Sequence, residues 1–206
     1  DYDRVLSELE QGGITYETRR ALAIKVFNTT ASYDAAIANY FNKKDNLVPE
    51  KLTLSYKLQD SLRYGENPHQ KAYHYVQDNN ESYALQNAVQ LHGKEMSYNN
   101  IQDASAALDI LSEFDETTCV AVKHMNPCGV ATGRSVFEAY SRAYEADPVS
   151  IFGGIVAVNG KVDKETAEKM HSIFLEIILA TDYDEEALEI LTKKKNLRIY
   201  KLSEKN

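Results

Sequence analysis

The sequence predicts an α/β layered fold, and two observations support this prediction. Short apolar runs rich in β-branched residues, typical of buried strands, occur at 119–122 and 155–158. Stretches with apolar residues at helical spacing, at about 100–111 and 136–146, alternate with these runs. Strands that alternate with helices of this length favour parallel pairing within a layered sheet.

The first 45 residues are predicted to be helical. Apolar residues at helical spacing indicate a short helix that ends at Gly12-Gly13 and a longer helix from about Tyr16. The polar stretch 42–46 is typical of a linker. The predicted organisation is a helical segment over 1–45, a linker over 46–55 and an α/β domain over 56–206.

Strands and helices alternate in the remainder of the chain. Between residues 52 and 112 we predict a half-buried strand through Leu52, Leu54, Tyr56 and Leu58, a strand over 72–76, a weaker strand at 83–85, and a helix from about 100. Further along we predict a strand at 119–122, a helix over 136–146, a strand over 155–158, helices over 164–179 and 184–193, and a final strand over 197–202.

Composition argues against several classes of function. The net charge of −8 over 206 residues is unfavourable for a nucleic-acid groove and for binding to an anionic membrane surface. No run approaches the roughly 20 apolar residues that a membrane span needs. Two cysteines, Cys119 and Cys128, are too few for a disulfide framework and favour a reduced, cytoplasmic setting. The chain opens in a helical pattern without an initiating Met, so we expect an excised piece of a longer protein.

The candidate catalytic pair is Lys123-His124, where a buried strand ends before the turn-forming stretch 126–129. Ligands of α/β folds bind at the carboxyl ends of strands. Neighbouring strand residues reach one ligand only where the strand bends, and we attribute the bend to Pro127 and Gly129. Histidine is the natural general base near neutral pH, and an ammonium group can stabilise a developing oxyanion. The structural alternative is a lysine that extends to solvent and a histidine hydrogen-bonded in a turn.

The segment 63–70 is a candidate phosphate contact. Arg63 has the forked donors that bind phosphate, and Tyr64 can stack or form a hydrogen bond. An ordinary polar loop with a cationic surface residue is the alternative, and residue types alone favour it.

Two further segments offer backbone or amide contacts to a ligand. In 93–100, Asn99 is a candidate N-cap for the following helix, and Asn100 is a candidate ligand contact. In 147–154, the pair Gly153-Gly154 permits positive φ or close backbone approach. A structural turn accounts for the second segment equally well.

No metal site is predicted. Pro127-Cys128 begins the Pro-Cys-x-x-Cys pattern of zinc deaminases, but Ala131 stands where the second cysteine would be, and no His-x-Glu precedes it. Metal-ligand spacing is also lacking at the other histidines, His69, His74, His92 and His171. There is neither a Walker loop nor a Gly-x-Gly-x-x-Gly motif. Catalysis is therefore expected to be metal-free.

Four blocks together resemble the bifunctional purine-biosynthesis family with AICAR transformylase and IMP cyclohydrolase activities. They are Leu62-Arg63-Tyr64-Gly65-Glu66-Asn67-Pro68-His69-Gln70, Ser97-Tyr98-Asn99-Asn100, Val122-Lys123-His124-Met125-Asn126-Pro127-Cys128-Gly129 and Asp147-Pro148-Val149-Ser150-Ile151-Phe152-Gly153-Gly154. Their order and spacing match as well, and the resemblance covers nearly the whole chain. One departure is Thr29, where the family usually has His, and we interpret it as tolerated variation in a packing segment.

The resemblance implies a fold and a domain organisation. The family's transformylase domain consists of two cytidine-deaminase-like α/β units without zinc, and residues 56–206 would be the first of them. Residues 1–45 would be the helical C-terminal end of the cyclohydrolase domain. Most of the folate site would then lie beyond Asn206.

The resemblance also implies a reaction. A formyl group would pass from the co-substrate 10-formyltetrahydrofolate to the 5-amino group of AICAR, and the cyclohydrolase would close the product FAICAR to IMP. His124 would deprotonate the attacking amine, and Lys123 would stabilise the oxyanion or help the folate nitrogen leave. Arg63 and Tyr64 would hold the AICAR phosphate across the interface of a homodimer.

The remaining implied contacts surround the nucleotide. Asn100 would orient the carboxamide region and assist His124, and the backbone of Gly153 would touch the nucleotide. Glu176 aligns with an acidic residue that the family places in the helix after that strand, and His69 would support the site.

Two other interpretations stay open. Without the second unit, the chain would be a nucleotide-binding or dimerising module that is inert by itself. The second interpretation is a nucleoside deaminase, and the missing zinc ligands argue against it.

Overall fold

Helices occupy most of the first of two compact units, Asp1–Lys57 and Leu58–Asn206. The structure, a computed structural model, describes residues 1–77 and 85–203, so the weak strand predicted at 83–85 falls largely outside the described residues. α1 spans Tyr2–Glu10 and α2 spans Tyr16–Lys44, as predicted, although α2 includes part of the predicted linker stretch 42–46. Thr15 caps α2, because its side-chain oxygen accepts a hydrogen bond from the backbone N–H of Thr18 at 3.2 Å.

α2 exposes large apolar side chains along its length. The exposed fraction is 72% for Phe27, 67% for Tyr33 and 61% for Tyr40, whereas only Thr18 and Ala35 of this helix are buried. Apolar surface of this kind is typical of a helix that packs against another part of a protein.

The alternating segment at 52–58 was predicted as a strand, and this prediction is wrong. Residues 52–56 have no regular structure, and β1 covers Lys57–Leu62. The side-chain amide of Asn39 donates to the backbone oxygen of Thr53 at 3.0 Å, and the hydroxyl groups of Ser32 and Ser55 lie 2.7 Å apart. This segment therefore bonds to side chains of α2. An alternating pattern alone does not form a strand, and no strand among the described residues pairs with 52–56.

The second unit is built on a six-stranded mixed sheet in the order β3-β8-β7-β6-β4-β5. Its strands are β3 (Val89–His92), β4 (Thr118–Lys123), β5 (Asn126–Thr132), β6 (Ile155–Val162), β7 (Ile177–Tyr183) and β8 (Arg198–Lys201). The β6–β7 and β7–β8 pairs are parallel, and the other three pairs are antiparallel. A separate two-stranded sheet pairs β1 with β2, which covers the predicted Ala72–Val76.

Helices cover both faces of the six-stranded sheet, which confirms the predicted α/β layered class. They are α3 (Tyr98–Ser112), α4 (Val136–Ala146), α5 (Lys164–His171) and α6 (Glu185–Leu191). Alternate residues of β4 point to opposite faces: Val120 and Val122 pack in the cluster that contains α3, and Cys119 and Ala121 in the cluster that contains α4. No helix of the described residues is long and apolar enough to cross a membrane.

The helix predicted over 164–179 is also wrong in its second half. α5 ends at His171, and Ile177–Tyr183 forms β7 between β6 and β8. The first four residues of β7 are fully buried, as expected for a strand covered on both faces. A short apolar run of this kind fits a buried strand as well as a helix, and here the neighbouring strands decide its structure.

Candidate active site

The predicted catalytic pair lies at a tight β-hairpin. Lys123, the last residue of β4, pairs with Asn126, the first of β5, so that His124 and Met125 form a two-residue loop. Their φ angles are +53° and +62°, as in the type I′ turns that match the twist of hairpin strands. Left-handed backbone is unfavourable for residues other than glycine. The loop leaves the His124 side chain exposed at the end of a buried strand.

The bend is therefore at His124-Met125, and our attribution of it to Pro127 and Gly129 is wrong. Both of those residues lie inside β5, a strand that was not predicted. β5 is at the edge of the sheet, where a proline without an N–H group is tolerated. Gly129 faces α4, and a Cβ atom at this position would overlap the carbonyl oxygen of Ala143.

Lys123 and Gly153 lie side by side. The Lys123 ammonium group donates a hydrogen bond to the carbonyl oxygen of Phe152, and a Cβ atom on Gly153 would lie 3.4 Å from Lys123 Nζ. Gly153 has a φ of +71°, one of the alternatives that the sequence left open, and its N–H donates to the oxygen of Phe174 at 2.8 Å. The structure thus places the ammonium group of the predicted catalytic pair against the backbone at 152–153.

Asn100 is in the first turn of α3, with 6% of its surface exposed. Its side-chain nitrogen donates to Glu176 Oε2 at 2.8 Å. Its side-chain oxygen accepts from the N–H of Ser97, and Ser97 Oγ accepts from the N–H of Asn100, both at 3.2 Å. Ser97 is consequently the N-cap of α3, and the predicted cap Asn99 is wrong.

Glu176 is not in a helix, contrary to the expectation from the resemblance. It directly precedes β7, because the predicted helix ends at His171. Its backbone N–H donates to Gly154 O, and its carbonyl accepts from the N–H of Arg198, both at 3.0 Å. The carboxylate that meets Asn100 is therefore held between two neighbouring strands.

One contact at the hairpin was missed in the sequence. The N–H of Met125 donates to Asp103 Oδ1 on α3 at 2.7 Å. On the other side of the loop, the side chain of Asn126 donates to the carbonyl oxygen of His124 at 2.8 Å. Asp103 follows Asn100 by three residues and so lies on the same face of α3. This spacing is the signal by which Asp103 could have been found in the sequence.

Arg63 and Tyr64 line a groove of about 870 Å³ in the second unit, and this groove also includes Ser97, the N-cap of α3. The guanidinium carbon of Arg63 lies 5.8 Å from the centre of the Tyr64 ring. Two further cations, Lys94 and Arg198, line the same groove. Among residues 1–77 and 85–203, no hydrogen bond or ion pair joins Arg63 or Tyr64 to the predicted catalytic pair.

His69 is exposed in the loop between β1 and β2. Two backbone bonds close this loop, from the N–H of Gly65 to Gln70 O at 2.9 Å and from the N–H of Gln70 to Asn67 O at 3.0 Å. The structure does not bring His69 to the predicted catalytic pair by any hydrogen bond or ion pair among the described residues.

The cysteines near the hairpin are not arranged as nucleophiles or ligands. Burial raises the pKa of the Cys128 thiol, which donates to Ala121 O at 3.5 Å, and burial also raises the pKa of Cys119. Within the described part of the chain, no group of three or more His, Cys, Asp or Glu side chains is placed to hold a metal ion.

Comparison with known proteins identifies the family. A family model described as AICARFT/IMPCHase bienzyme matches residues 1–206. The chain is 58% identical over 205 residues to the bifunctional purine biosynthesis protein PurH of Lactobacillus acidophilus, covering 98% of this chain and 40% of that protein. It is 59% identical over 201 residues to PurH of Listeria monocytogenes, covering 97% and 40%. The chain therefore belongs to the AICARFT/IMPCHase bienzyme family, and it spans about two fifths of the length of these relatives.

Proposed function

We propose that this chain carries the proton-transfer half of an AICAR transformylase site. The complete protein would transfer a formyl group from 10-formyltetrahydrofolate to AICAR and would cyclise the product FAICAR to IMP. The observation that carries the proposal is the position of Lys123-His124. An exposed imidazole lies in the loop directly after a buried strand, and the adjacent ammonium group is fixed against the backbone at 152–153.

The two side chains divide the chemistry. The amino nitrogen of AICAR attacks the formyl carbon, and His124 removes the proton that this nitrogen loses. The negative charge that develops on the formyl oxygen is stabilised by the Lys123 ammonium group. The bond from the formyl carbon to the folate nitrogen then breaks, and that nitrogen takes up a proton as it leaves. No step requires a metal ion.

The surrounding residues would bind the nucleotide. The Asn100 amide, already bonded to the Glu176 carboxylate, would orient the carboxamide region, and the partly exposed backbone of Gly153 would contact the nucleotide. Arg63 and Tyr64 would bind the AICAR phosphate of the partner's site in a homodimer, and the further cations Lys94 and Arg198 in their groove support an anionic ligand there. His69, in the same loop, would support them.

We propose the same domain organisation that the resemblance implies. Residues 1–45 would be the helical C-terminal end of the cyclohydrolase domain, and residues 46–55 would be a linker. Residues 56–206 would form the first cytidine-deaminase-like unit of the transformylase domain. The exposed aromatic side chains of α2 support the assignment of residues 1–45, because the rest of a cyclohydrolase domain would cover them. A cytoplasmic site of action is consistent with two unpaired cysteines.

The isolated chain is expected to show little or no formyl transfer, because most contacts to the folate would come from outside it. The test is tetrahydrofolate production in the presence of AICAR and 10-formyltetrahydrofolate. A full-length PurH relative serves as the positive control. Robust turnover by the isolated chain would contradict the proposal that its site is only half of the whole.

Replacing Arg63 by alanine is expected to weaken AICAR binding by about tenfold or more, since a hydrogen bond between charged groups contributes roughly 1.5–3 kcal/mol. Isothermal titration of this chain with AICAR measures the change. Arg134→Ala is the matched control, because Arg134 is an exposed cation elsewhere in the second unit. Equal affinities for wild type and Arg63→Ala would show that Arg63 does not bind the phosphate.

A further inference from the structure

We propose that Asp103 is a positioning residue for His124 and that it acts by fixing the loop of the β4–β5 hairpin from helix α3. The inference rests on the proposed function, because it assigns to Asp103 a role in the same formyl transfer. Asp103 itself would not touch the substrate.

The loop needs support from outside its own sequence. Type I′ turns favour Asn and Gly, whereas this loop consists of His124 and Met125, both with positive φ. Such a conformation persists only where surrounding groups hold it. Local residue preference therefore does not explain why His124 is kept in this orientation.

Two side chains form hydrogen bonds to one peptide unit of the loop, one to its carbonyl oxygen and one to its N–H group. The carbonyl oxygen of His124 accepts from the Asn126 side chain at 2.8 Å, and the N–H of Met125 donates to Asp103 at 2.7 Å. These two atoms belong to the same planar peptide group. Because both the carbonyl and the N–H group are hydrogen-bonded, the peptide plane cannot rotate freely. The bond from Cα to Cβ of His124 therefore has a fixed direction.

The two supports differ in what they connect. Asn126 is the first residue of β5, so its bond stays within the hairpin. Asp103 belongs to α3, which packs on the sheet through residues such as Ala104 and Ala107, both with no exposed surface. Asn100 lies one turn earlier on the same helix and holds Glu176. The Asp103 bond therefore sets the position of the base relative to the amide–carboxylate pair.

Steady-state kinetics of a full-length protein that carries this chain test the role. Asp103→Ala is expected to lower kcat by up to about 10²-fold with little change in the KM for AICAR, since a displaced base affects the reaction more than binding. Asp103→Asn is expected to retain most of kcat, because its side-chain oxygen can still accept from Met125. Asp109→Ala, which removes an exposed carboxylate from the same helix, is the control and should leave kcat unchanged.

Hydrogen exchange of the Met125 amide in the isolated chain supplies a readout that does not depend on activity. We expect faster exchange in Asp103→Ala than in wild type or Asp109→Ala. Unchanged exchange would show that the bond does not hold the loop, and unchanged kcat of Asp103→Ala in an active protein would overturn only the positioning role. Absence of formyl transfer in the wild-type full-length protein would overturn the proposed function as well.

Discussion

Replacing His124 by alanine in a full-length protein that carries this chain is expected to lower turnover by roughly 10²–10⁴-fold. The physical reason is that the amino group of AICAR is a weak nucleophile until its proton is removed. The imidazole at the hairpin loop is the base that our proposal assigns to that step. The KM for AICAR is expected to change less, since the proposed binding contacts come from other residues. Steady-state formyl transfer at saturating AICAR measures the effect.

His171→Ala is a suitable control for this prediction, because His171 lies at the end of α5 and takes no part in the proposed chemistry. It removes the same type of side chain, and its turnover should equal that of wild type. Wild-type turnover in His124→Ala would mean that another group is the base. The resemblance to the family would survive that result, but the assignment of His124 would not.

Replacing Gly129 by alanine is expected to destabilise the second unit strongly. The added Cβ atom would overlap the carbonyl oxygen of Ala143 and lie 2.9 Å from its carbonyl carbon. Both are backbone atoms of α4, so relief requires the helix or β5 to move. Overpacking of a well-packed core typically costs about 1–3 kcal/mol and occasionally more, and we expect the upper end of this range. Equilibrium unfolding of this chain in urea measures the change.

A matched control for Gly129→Ala adds one carbon to the next residue of the same strand. Val130 is 37% exposed, so Val130→Ile is expected to change the free energy of unfolding by no more than about 0.5 kcal/mol. Equal stability of Gly129→Ala and wild type would show that α4 does not approach β5 as closely as described. Gly129→Ala is also expected to lower formyl transfer by a full-length protein that carries this chain, because β5 completes the hairpin that presents His124.

Local patterns were sufficient to predict several features of the site from the sequence. The buried run before Lys123 identified β4, and the glycine pair before a buried strand allowed for the positive φ at Gly153. Each of these signals depends on a few adjacent residues. The location of the candidate catalytic pair at a strand end follows from them.

Features that depend on distant residues could not be predicted in the same way. The bond between Asn100 and Glu176 joins positions 76 residues apart, and the bond between Asp103 and Met125 joins positions 22 apart. Helical periodicity placed Asn100 near a helix start but gave no partner for it. β7 was predicted as helix because its apolar run is compatible with both structures, and only the strands on either side of it resolve the choice.

The two-residue loop of the β4–β5 hairpin restricts how the length of this segment can change. An inserted residue would need a longer loop or a bulge, as β5 already has at Cys128; otherwise side chains such as Ala131, now opposite Cys119, would turn to the other face of the sheet. Deletion of one residue would leave a single residue to reverse the chain direction. Side chains at the hairpin can therefore be exchanged far more readily than residues can be added or removed, and the spacing between the ammonium group and the imidazole is fixed by backbone geometry.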